Sequence, residues 1–303
     1  MRHFRIEHPA PGVYAAMATQ DGAAACNAGI IDLGGRTLVF DTSATLVAAR
    51  ELRALAEELT GRPPTLIINS HEHPDHYNGN LVFADGILIA SEATREAMRR
   101  QGQTRAARMR RQFVEQAGDV RRKLAATTDP GARAALEAEL REYEVFADGY
   151  PSDADFRLPG VTFAESMTFH GEDRSAQLIA CGPSHSPCDA VLWLPAERVL
   201  FTGDLVVDGN LIVSLGTPEL WPAVLSRLEA LGADLLVPGH GRLVRAEAGF
   251  GQARAYLTEL FRLAAEAAAA GERPEYAEHM PVPAGLHEYW FRENMRYLLR
   301  QRG

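Results

Sequence analysis

The chain of 303 residues has few cysteines, no long apolar run and no excess of basic residues. Its three cysteines, Cys26, Cys181 and Cys188, make no disulfide framework, which is typical of a protein from a reducing compartment. No stretch of about 18 apolar residues occurs, so the sequence predicts no membrane-spanning helix. The net charge of -9 argues against a general nucleic-acid-binding protein. The first residues lack the apolar centre of a signal peptide, and we therefore expect a cytoplasmic protein.

The sequence does contain a series of short apolar runs separated by turn residues. These runs predict strands, and they include AGIIDL, TLVFD, TLIINS, GILIAS, SAQLIAC, DAVLWLP, RVLFTGD and ADLLVPGH. Residues 44–59 have helical spacing and are followed by Gly61, which predicts a helix that ends there. Thr217 and Pro218 predict the start of another helix. The alternation indicates an α/β protein, and we expect one domain over residues 1–303.

One segment, 92–147, interrupts this alternation because it is helical throughout, with a break at TTDPGA. We expect a helical hairpin inserted between two strands. Its first arm is rich in arginine, and Arg105, Arg108 and Arg111 are candidates to bind an anionic substrate. A solvated helix face explains the same arginines, and the hairpin suits a lid and a homodimer contact equally well. A second helical block forms a predicted C-terminal extension over 247–303.

The stretch SHEHPDHYNGN places three histidines and an aspartate within six positions, directly after a predicted strand. In an extended segment residues i and i+2 point to the same side, so His71 and His73 can be directed at one point. Asp75 and His76 follow Pro74 and turn toward an adjacent point. Neutral imidazole and carboxylate are the ligands that zinc prefers where no thiolate is offered. The stretch is therefore a candidate metal site, with a chance surface cluster and a hydrogen-bonded turn as the alternatives.

Three more candidate ligands follow predicted strands elsewhere in the chain. His185 comes after SAQLIAC, Asp204 ends RVLFTGD and His240 ends ADLLVPGH. In α/β folds, binding sites lie at the ends of strands. The sequence therefore predicts a metal centre assembled from distant parts of the chain.

The motif H-x-H-x-D-H, followed by His185, the TGD aspartate and the PGHG histidine, resembles the metallo-β-lactamase superfamily. The opening NAGIIDLGGRTLVFDT is also similar to the first strands of that family, so the resemblance covers about residues 10–245. It implies a four-layer αβ/βα sandwich with the metals at one edge. It also implies two metal ions per chain, zinc by preference with iron or manganese as other options. The ligands implied are His71, His73 and His185 for the first metal, Asp75, His76 and His240 for the second, and Asp204 as the bridge.

The sequence departs from the family pattern in two places. The third histidine lies in GPSHSPC, where Ser184 and Cys188 replace glycines that are common in the family. Cys181 and Cys188 are expected to pack in the interior, with a redox pair or an extra metal ligand as alternatives. Tyr77 replaces a small residue, and it could equally donate a hydrogen bond to a substrate or pack.

The resemblance implies a metallo-hydrolase acting on a small molecule. A hydroxide shared by two metals would attack a small ester, thioester, lactone or amide, with Asp75 orienting the hydroxide. Asp204 as a bridge is typical of thioester, lactone and phosphodiester hydrolases, and the zinc β-lactamases generally lack it. A phosphodiesterase and a mononuclear-iron sulfur dioxygenase on the same fold are the alternatives. A non-enzymatic module is disfavoured, because seven retained ligands at a buried edge would cost free energy without a use.

Overall fold

The computed structural model of the protein describes residues 2–152 and 156–302. They form two compact units, Met1–Phe163 with Gly171–Asp173, and Ala164–His170 with Arg174–Gly303. Each unit contains one β-sheet. The expectation of one domain over the whole chain stays a prediction.

The sheet of the first unit is mixed. Its strands are β1 (Phe4–Ala10), β2 (Val13–Ala18), β3 (Ala28–Asp32), β4 (Thr37–Phe40), β5 (Pro64–Ile68), β6 (Ile87–Ser91) and β7 (Val161–Phe163). They lie in chain order, antiparallel from β1 to β4 and parallel from β4 to β7. Parallel neighbours have their carboxyl ends at the same edge, and β4 and β5 therefore present the residues that follow them side by side.

Helix α1 (Leu46–Thr60) lies between β4 and β5 in the chain. The Thr45 side chain accepts a hydrogen bond from the Ala48 amide and caps the start of the helix. Gly61 ends it in the left-handed conformation, at φ 71°, as the sequence predicted. Ala48 and Leu52 lie on the buried face of the helix and pack into the core of this unit.

The helical segment expected within the first unit lies between β6 and β7. It consists of α3 (Glu92–Ala97), a π-helical turn (Met98–Gly102), α4 (Gln103–Ala126) and α5 (Pro130–Gly149). Two shorter elements, α2 (Pro74–Tyr77) and a 3₁₀ turn (Asn78–Phe83), lie earlier in the chain, between β5 and β6. The Asp129 side chain caps α5 by accepting from the Ala132 amide at 2.7 Å. Phe146 and Tyr150 at the end of α5 pack with Phe113 of α4, so aromatic contacts hold the two arms together.

The sheet of the second unit is also mixed. Its strands are β8 (Ser166–His170), β9 (Ser175–Gly182), β10 (Asp189–Leu194), β11 (Val199–Gly203), β12 (Leu235–Pro238) and β13 (Val244–Arg245). The order is β13-β12-β11-β10-β9-β8, with β11 and β12 parallel and the other pairs antiparallel. The helices are α6 (Trp221–Glu229), α7 (Ala246–Ala269) and α8 (Glu288–Arg300), with a 3₁₀ turn (Pro274–Glu278) before α8.

The predicted start of a helix at Thr217 and Pro218 is wrong. Helix α6 begins at Trp221, and the proline in its first turn is Pro222. The preceding residues form a turn in which the Leu220 amide donates to the Thr217 carbonyl at 3.1 Å. The Thr217 amide donates instead to the carbonyl of Ser184 at 2.9 Å, which ties this residue to a distant loop.

Two mixed sheets flanked by helices confirm the predicted fold class, including the inserted hairpin and the helices at the C-terminal side. Among the residues that the structure describes, no helix combines the length and apolarity needed to cross a membrane. All three cysteines are buried.

Candidate metal centre

The histidine motif follows strand β5 and leads into helix α2. Pro74 is the first residue of α2, where the fixed φ of proline suits a helix start. The motif histidines are almost fully buried, with 1% of His71, 5% of His73 and 0% of His76 exposed. Three buried imidazoles therefore lie within six residues of one another, just beyond the end of a buried strand.

The ring nitrogens of His71 and His73 face each other, with Nε2 of His71 at 3.0 Å from Nδ1 of His73. Two nitrogens bound by one tetrahedral zinc ion at about 2.0–2.1 Å would be about 3.3 Å apart. The two side chains therefore have close to the spacing that a shared metal ion requires.

Asp41 orients two of the motif histidines, although the sequence analysis did not single it out. It follows β4, has a positive φ of 64°, and is 1% exposed. Its carboxylate accepts from the Ser70 amide at 2.7 Å, from the Ser70 hydroxyl at 2.8 Å and from Nδ1 of His76 at 2.7 Å. Because Ser70 gives its only hydroxyl hydrogen to Asp41, it accepts from Nδ1 of His71 at 2.8 Å. Both His71 and His76 then carry their lone pair on Nε2, which is the form that binds metal.

A second pair of candidate metal-ligand atoms, called a donor pair below like that of His71 and His73, lies in helix α2. Nε2 of His76 is 3.5 Å from a carboxylate oxygen of Asp75. The rings of His71 and His76 have centroids 4.2 Å apart, so the two donor pairs of the first unit are neighbours. The thiol of Cys26 donates to the Asp75 carbonyl at 2.9 Å and fixes the backbone at this position.

The second unit brings together its own three predicted ligands. His185 follows β9, Asp204 follows β11 and His240 follows β12. Oδ2 of Asp204 is 3.3 Å from Nε2 of His185 and 3.3 Å from Nε2 of His240. One carboxylate oxygen therefore lies next to two imidazoles. Gly239 makes this approach possible, since a Cβ at that position would lie 2.0 Å from Oδ1 of Asp204.

The ring of His185 is held by a backbone carbonyl. Its Nδ1 donates to the carbonyl of Ile212 at 3.1 Å, which leaves the lone pair on Nε2, facing Asp204. Ser184, which replaces a glycine common in the family, does not prevent this arrangement. The residue of this turn that needs a positive φ is Gly182, at 80°, and it is still a glycine. The loop after His185 is closed by Asp189, whose carboxylate accepts from the Ser186 amide at 3.0 Å.

The donor sets of both units fit divalent metal ions. Each consists of imidazole nitrogens and carboxylate oxygens, which are ligands typical of zinc, iron and manganese. Four donor pairs lie 3.0–3.5 Å apart, and hydrogen bonds fix the metal-binding nitrogen in three of the histidines. These His and Asp clusters suggest divalent metal ions.

The predicted substrate-binding residues differ in their surroundings. Tyr77 is 1% exposed and its ring contacts Phe156 edge to face, and burial raises the pKa of its hydroxyl. The Arg105 side chain is 17% exposed, and its Nη1 is 3.8 Å from Oε1 of Glu72, the residue between the first two motif histidines. Arg108 and Arg111 are exposed on the same helix. The structure thus brings Arg105 next to the motif and leaves the other two arginines on the surface.

Comparison with known proteins gives the family. A model of the metallo-beta-lactamase superfamily matches residues 21–240, and the chain belongs to this superfamily. A linear primary-alkylsulfatase of Pseudomonas sp. is 26% identical over 218 residues, which cover 68% of this chain and 40% of that protein. A type 2 metallo-beta-lactamase of Bacteroides fragilis is 32% identical over 91 residues, which cover 28% of this chain and 36% of that protein. The chain therefore spans less than half the length of either relative.

Solved structures show the same fold. A metallo-beta-lactamase from Pontibacter korlensis aligns with a TM-score of 0.60 and 16% identity, covering 84% of this chain and 99% of the other. At this level of identity the likeness concerns the fold, and it agrees with the fold class expected from the sequence. The family model ends at residue 240, before helices α7 and α8.

Proposed function

We propose that the protein is a hydrolase with a dinuclear metal centre, zinc by preference, that cleaves a small ester, thioester, lactone or amide. The observation that carries this proposal is the position of Asp204. One oxygen of its carboxylate lies 3.3 Å from the imidazoles of both His185 and His240. A carboxylate oxygen in this position suits a bridge between two metal ions. Membership of a superfamily of mostly hydrolytic enzymes supports the same conclusion.

The proposed ligand sets follow the donor pairs within each unit. His71 and His73 form one pair and Asp75 and His76 form the other, so each pair would contribute to a different metal. The proposed ligands are His71, His73 and His185 for the first metal, Asp75, His76 and His240 for the second, and Asp204 for both.

A pair of divalent metals, when bound, supplies an activated water at neutral pH and polarises the bond to be cleaved. The chain's own residues prepare the site for this chemistry. Asp41 and Ser70 hold the Nδ1 hydrogens of His76 and His71, so the neutral form of both rings presents the lone pair of Nε2. A carboxylate oxygen of Asp75 is proposed to accept a hydrogen bond from the attacking water and to orient it toward the substrate.

We further propose that Arg105 binds an anionic group of the substrate. Its guanidinium lies near the buried Glu72, directly beside the motif, and little of its side chain is exposed. A positive charge with restricted access to water interacts more strongly with an anion than an exposed one does. Arg108 and Arg111 are exposed, which favours the solvated-face interpretation for these two residues. Tyr77 is proposed to act mainly by packing, because its ring is buried against Phe156.

A second candidate substrate class is the sulfate esters. The similarity to a linear primary-alkylsulfatase extends over 68% of this chain, and a sulfate group would provide the anion proposed for Arg105. The experiment below tests this substrate class together with the phosphodiesterase and sulfur dioxygenase alternatives. A cytoplasmic location and a homodimer contact through the inserted hairpin stay predictions.

The experiment that tests the proposal is elemental analysis of protein purified without added metal or chelator. About two zinc ions per chain are expected, together with hydrolysis of at least one member of a panel of carboxylic esters, thioesters, lactones, phosphodiesters and sulfate esters. Chelation should abolish this activity and zinc should restore it, while the variant Asp204→Asn should stay inactive in both states. One iron per chain with oxygen uptake on a persulfide would contradict the hydrolase assignment, and so would a chain that binds no metal.

A further inference from the structure

Helix α8 reaches the segment that holds His185, although α8 lies beyond the part of the chain that the family model matches. Its Asn294 is fully buried, with 0% exposed. Oδ1 of Asn294 accepts from the Val213 amide at 2.9 Å, and Nδ2 donates to the Leu211 carbonyl at 2.7 Å. The second hydrogen of Nδ2 is donated to the hydroxyl of Tyr256, in α7, at 3.0 Å. The amide is therefore used for specific hydrogen bonds on both its oxygen and its nitrogen.

The bond to Val213 controls the direction of the neighbouring carbonyl. The Val213 N–H and the Ile212 C=O belong to the same planar trans peptide group, in which they point in opposite directions. Because Asn294 fixes the N–H on one side, the C=O is fixed on the other. That carbonyl accepts from Nδ1 of His185 at 3.1 Å. Asn294 and His185 are therefore connected through a single rigid peptide group.

The same helix holds the loop at a second point. The hydroxyl of Tyr297 donates to the carbonyl of Gly216 at 3.0 Å. Gly216 lies against the His185 segment so closely that a Cβ there would be 2.0 Å from the Ser184 carbonyl oxygen. The loop between β11 and α6 is thus bonded to α8 on one side and packed against the residue before His185 on the other.

We infer that Asn294 is a positioning residue for His185, which places part of the machinery of the metal centre in the C-terminal extension. The inference rests on the proposed function in that it takes His185 as a metal ligand. Asn294 fixes the peptide group whose carbonyl sets the tautomer and the orientation of the His185 ring. Loss of a hydrogen-bond partner of a metal-binding histidine typically lowers metal affinity about 10–100-fold. Asn294 acts through one intervening peptide group, so an effect near the lower end, about 10-fold, is expected.

The test compares three variants of the full chain. Asn294→Ala removes the hydrogen bonds to the loop. Tyr256→Phe removes only the hydroxyl that accepts from Nδ2 of Asn294, and leaves the hydrogen bonds to the loop in place. Leu298→Ala is the stability control, because Leu298 is 2% exposed on the same helix and its truncation leaves a cavity. Co²⁺ affinity is measured by competition with a chelator. We expect an affinity loss of about 10-fold for Asn294→Ala and less than about 2-fold for the other two variants.

A second readout needs no metal. In metal-free wild-type protein labelled with ¹⁵N, the His185 ring should show a single tautomer with a hydrogen on Nδ1, and Asn294→Ala should give a mixture. Equal Co²⁺ affinity of Asn294→Ala and wild type, or an equal loss in Leu298→Ala, would overturn the inference and leave the proposed function standing. Wild-type protein that binds no Co²⁺ would instead refute the proposed function, while the tautomer measurement still decides the role of Asn294. An unfolded Asn294→Ala protein leaves the wild-type tautomer as the deciding observation, and a hydrogen on Nε2 would overturn the inference.

Discussion

The substitution Asp41→Asn provides a sharp test of how the first unit prepares its histidines. Asn is close to isosteric with Asp and tolerates a positive φ about as well, so the backbone at φ 64° has no reason to move. An alanine at this position would add backbone strain to the loss of the carboxylate. The change to Asn therefore isolates the chemistry of the side chain.

The size of the expected loss of metal affinity follows from the three hydrogen bonds that Asp41 accepts, two from Ser70 and one from His76. An amide can accept on its oxygen only, and its NH₂ group faces donors that previously met a carboxylate oxygen. If the NH₂ group meets His76, that ring must place its hydrogen on Nε2 and can no longer bind metal there. We expect the affinity for the second metal to fall about 10–100-fold, which is about 1.4–2.7 kcal/mol.

The assay is metal stoichiometry at a series of free zinc concentrations, fixed with a chelator. Wild type should bind two ions over the whole range, and Asp41→Asn should bind one at the lower concentrations. The matched control is Asp32→Asn, because Asp32 is the last residue of β3 in the same sheet and accepts from the Gly34 amide and from Arg62. Retention of both ions by Asp41→Asn, with affinities equal to those of Asp32→Asn, would refute the proposed orientation of His76.

Three further predictions concern other parts of the centre. Asp204→Asn should lower zinc binding to less than one ion per chain by elemental analysis, because one oxygen serves both proposed metals; two ions per chain would contradict the bridge. Arg105→Gln should raise KM for an anionic substrate about 10-fold and leave KM for a neutral one unchanged. The control Arg108→Gln, on the exposed face, should change neither KM value. Equal effects of the two substitutions would show that general surface charge, and not Arg105 in particular, attracts the substrate. Gly239→Ala should weaken zinc binding and lower the melting temperature, because its Cβ would clash with Asp204, while Gly251→Ala, with open space around the new Cβ, should retain both properties; wild-type zinc binding in Gly239→Ala would show that the loop can move.

The sequence predicted those parts of the fold and site that depend on local pattern. The β-branched runs became strands, and the capped end of α1 at Gly61 lies where glycine was expected. The motif from His71 to His76 was recognisable because its donor residues are close in the chain. Strand β2 was not predicted, since VYAAMA is rich in alanine and has little of the β-branched character of the other runs.

The parts that the sequence did not predict depend on contacts between distant residues. Asp41 is one aspartate among many in the sequence, and its importance arises only when β4 and β5 lie side by side. Asn294 lies 81 positions from Val213 along the chain, and a lone asparagine in a helix carries no recognisable signal. The predicted start of α6 was wrong for the same reason, because the Thr217 amide is hydrogen-bonded to a loop more than 30 residues away in the chain.

The bonds between α8 and the loop of residues 211–216 have a consequence for modularity. A fragment trimmed to the boundaries shared by the superfamily would contain the proposed ligands of both metals but not the side chain that fixes the peptide group beside His185. The backbone groups at 211 and 213 would then have to bond to water. The appended helices therefore supply hydrogen-bond partners to a loop of the shared core, and their removal would take those partners away from the backbone beside His185.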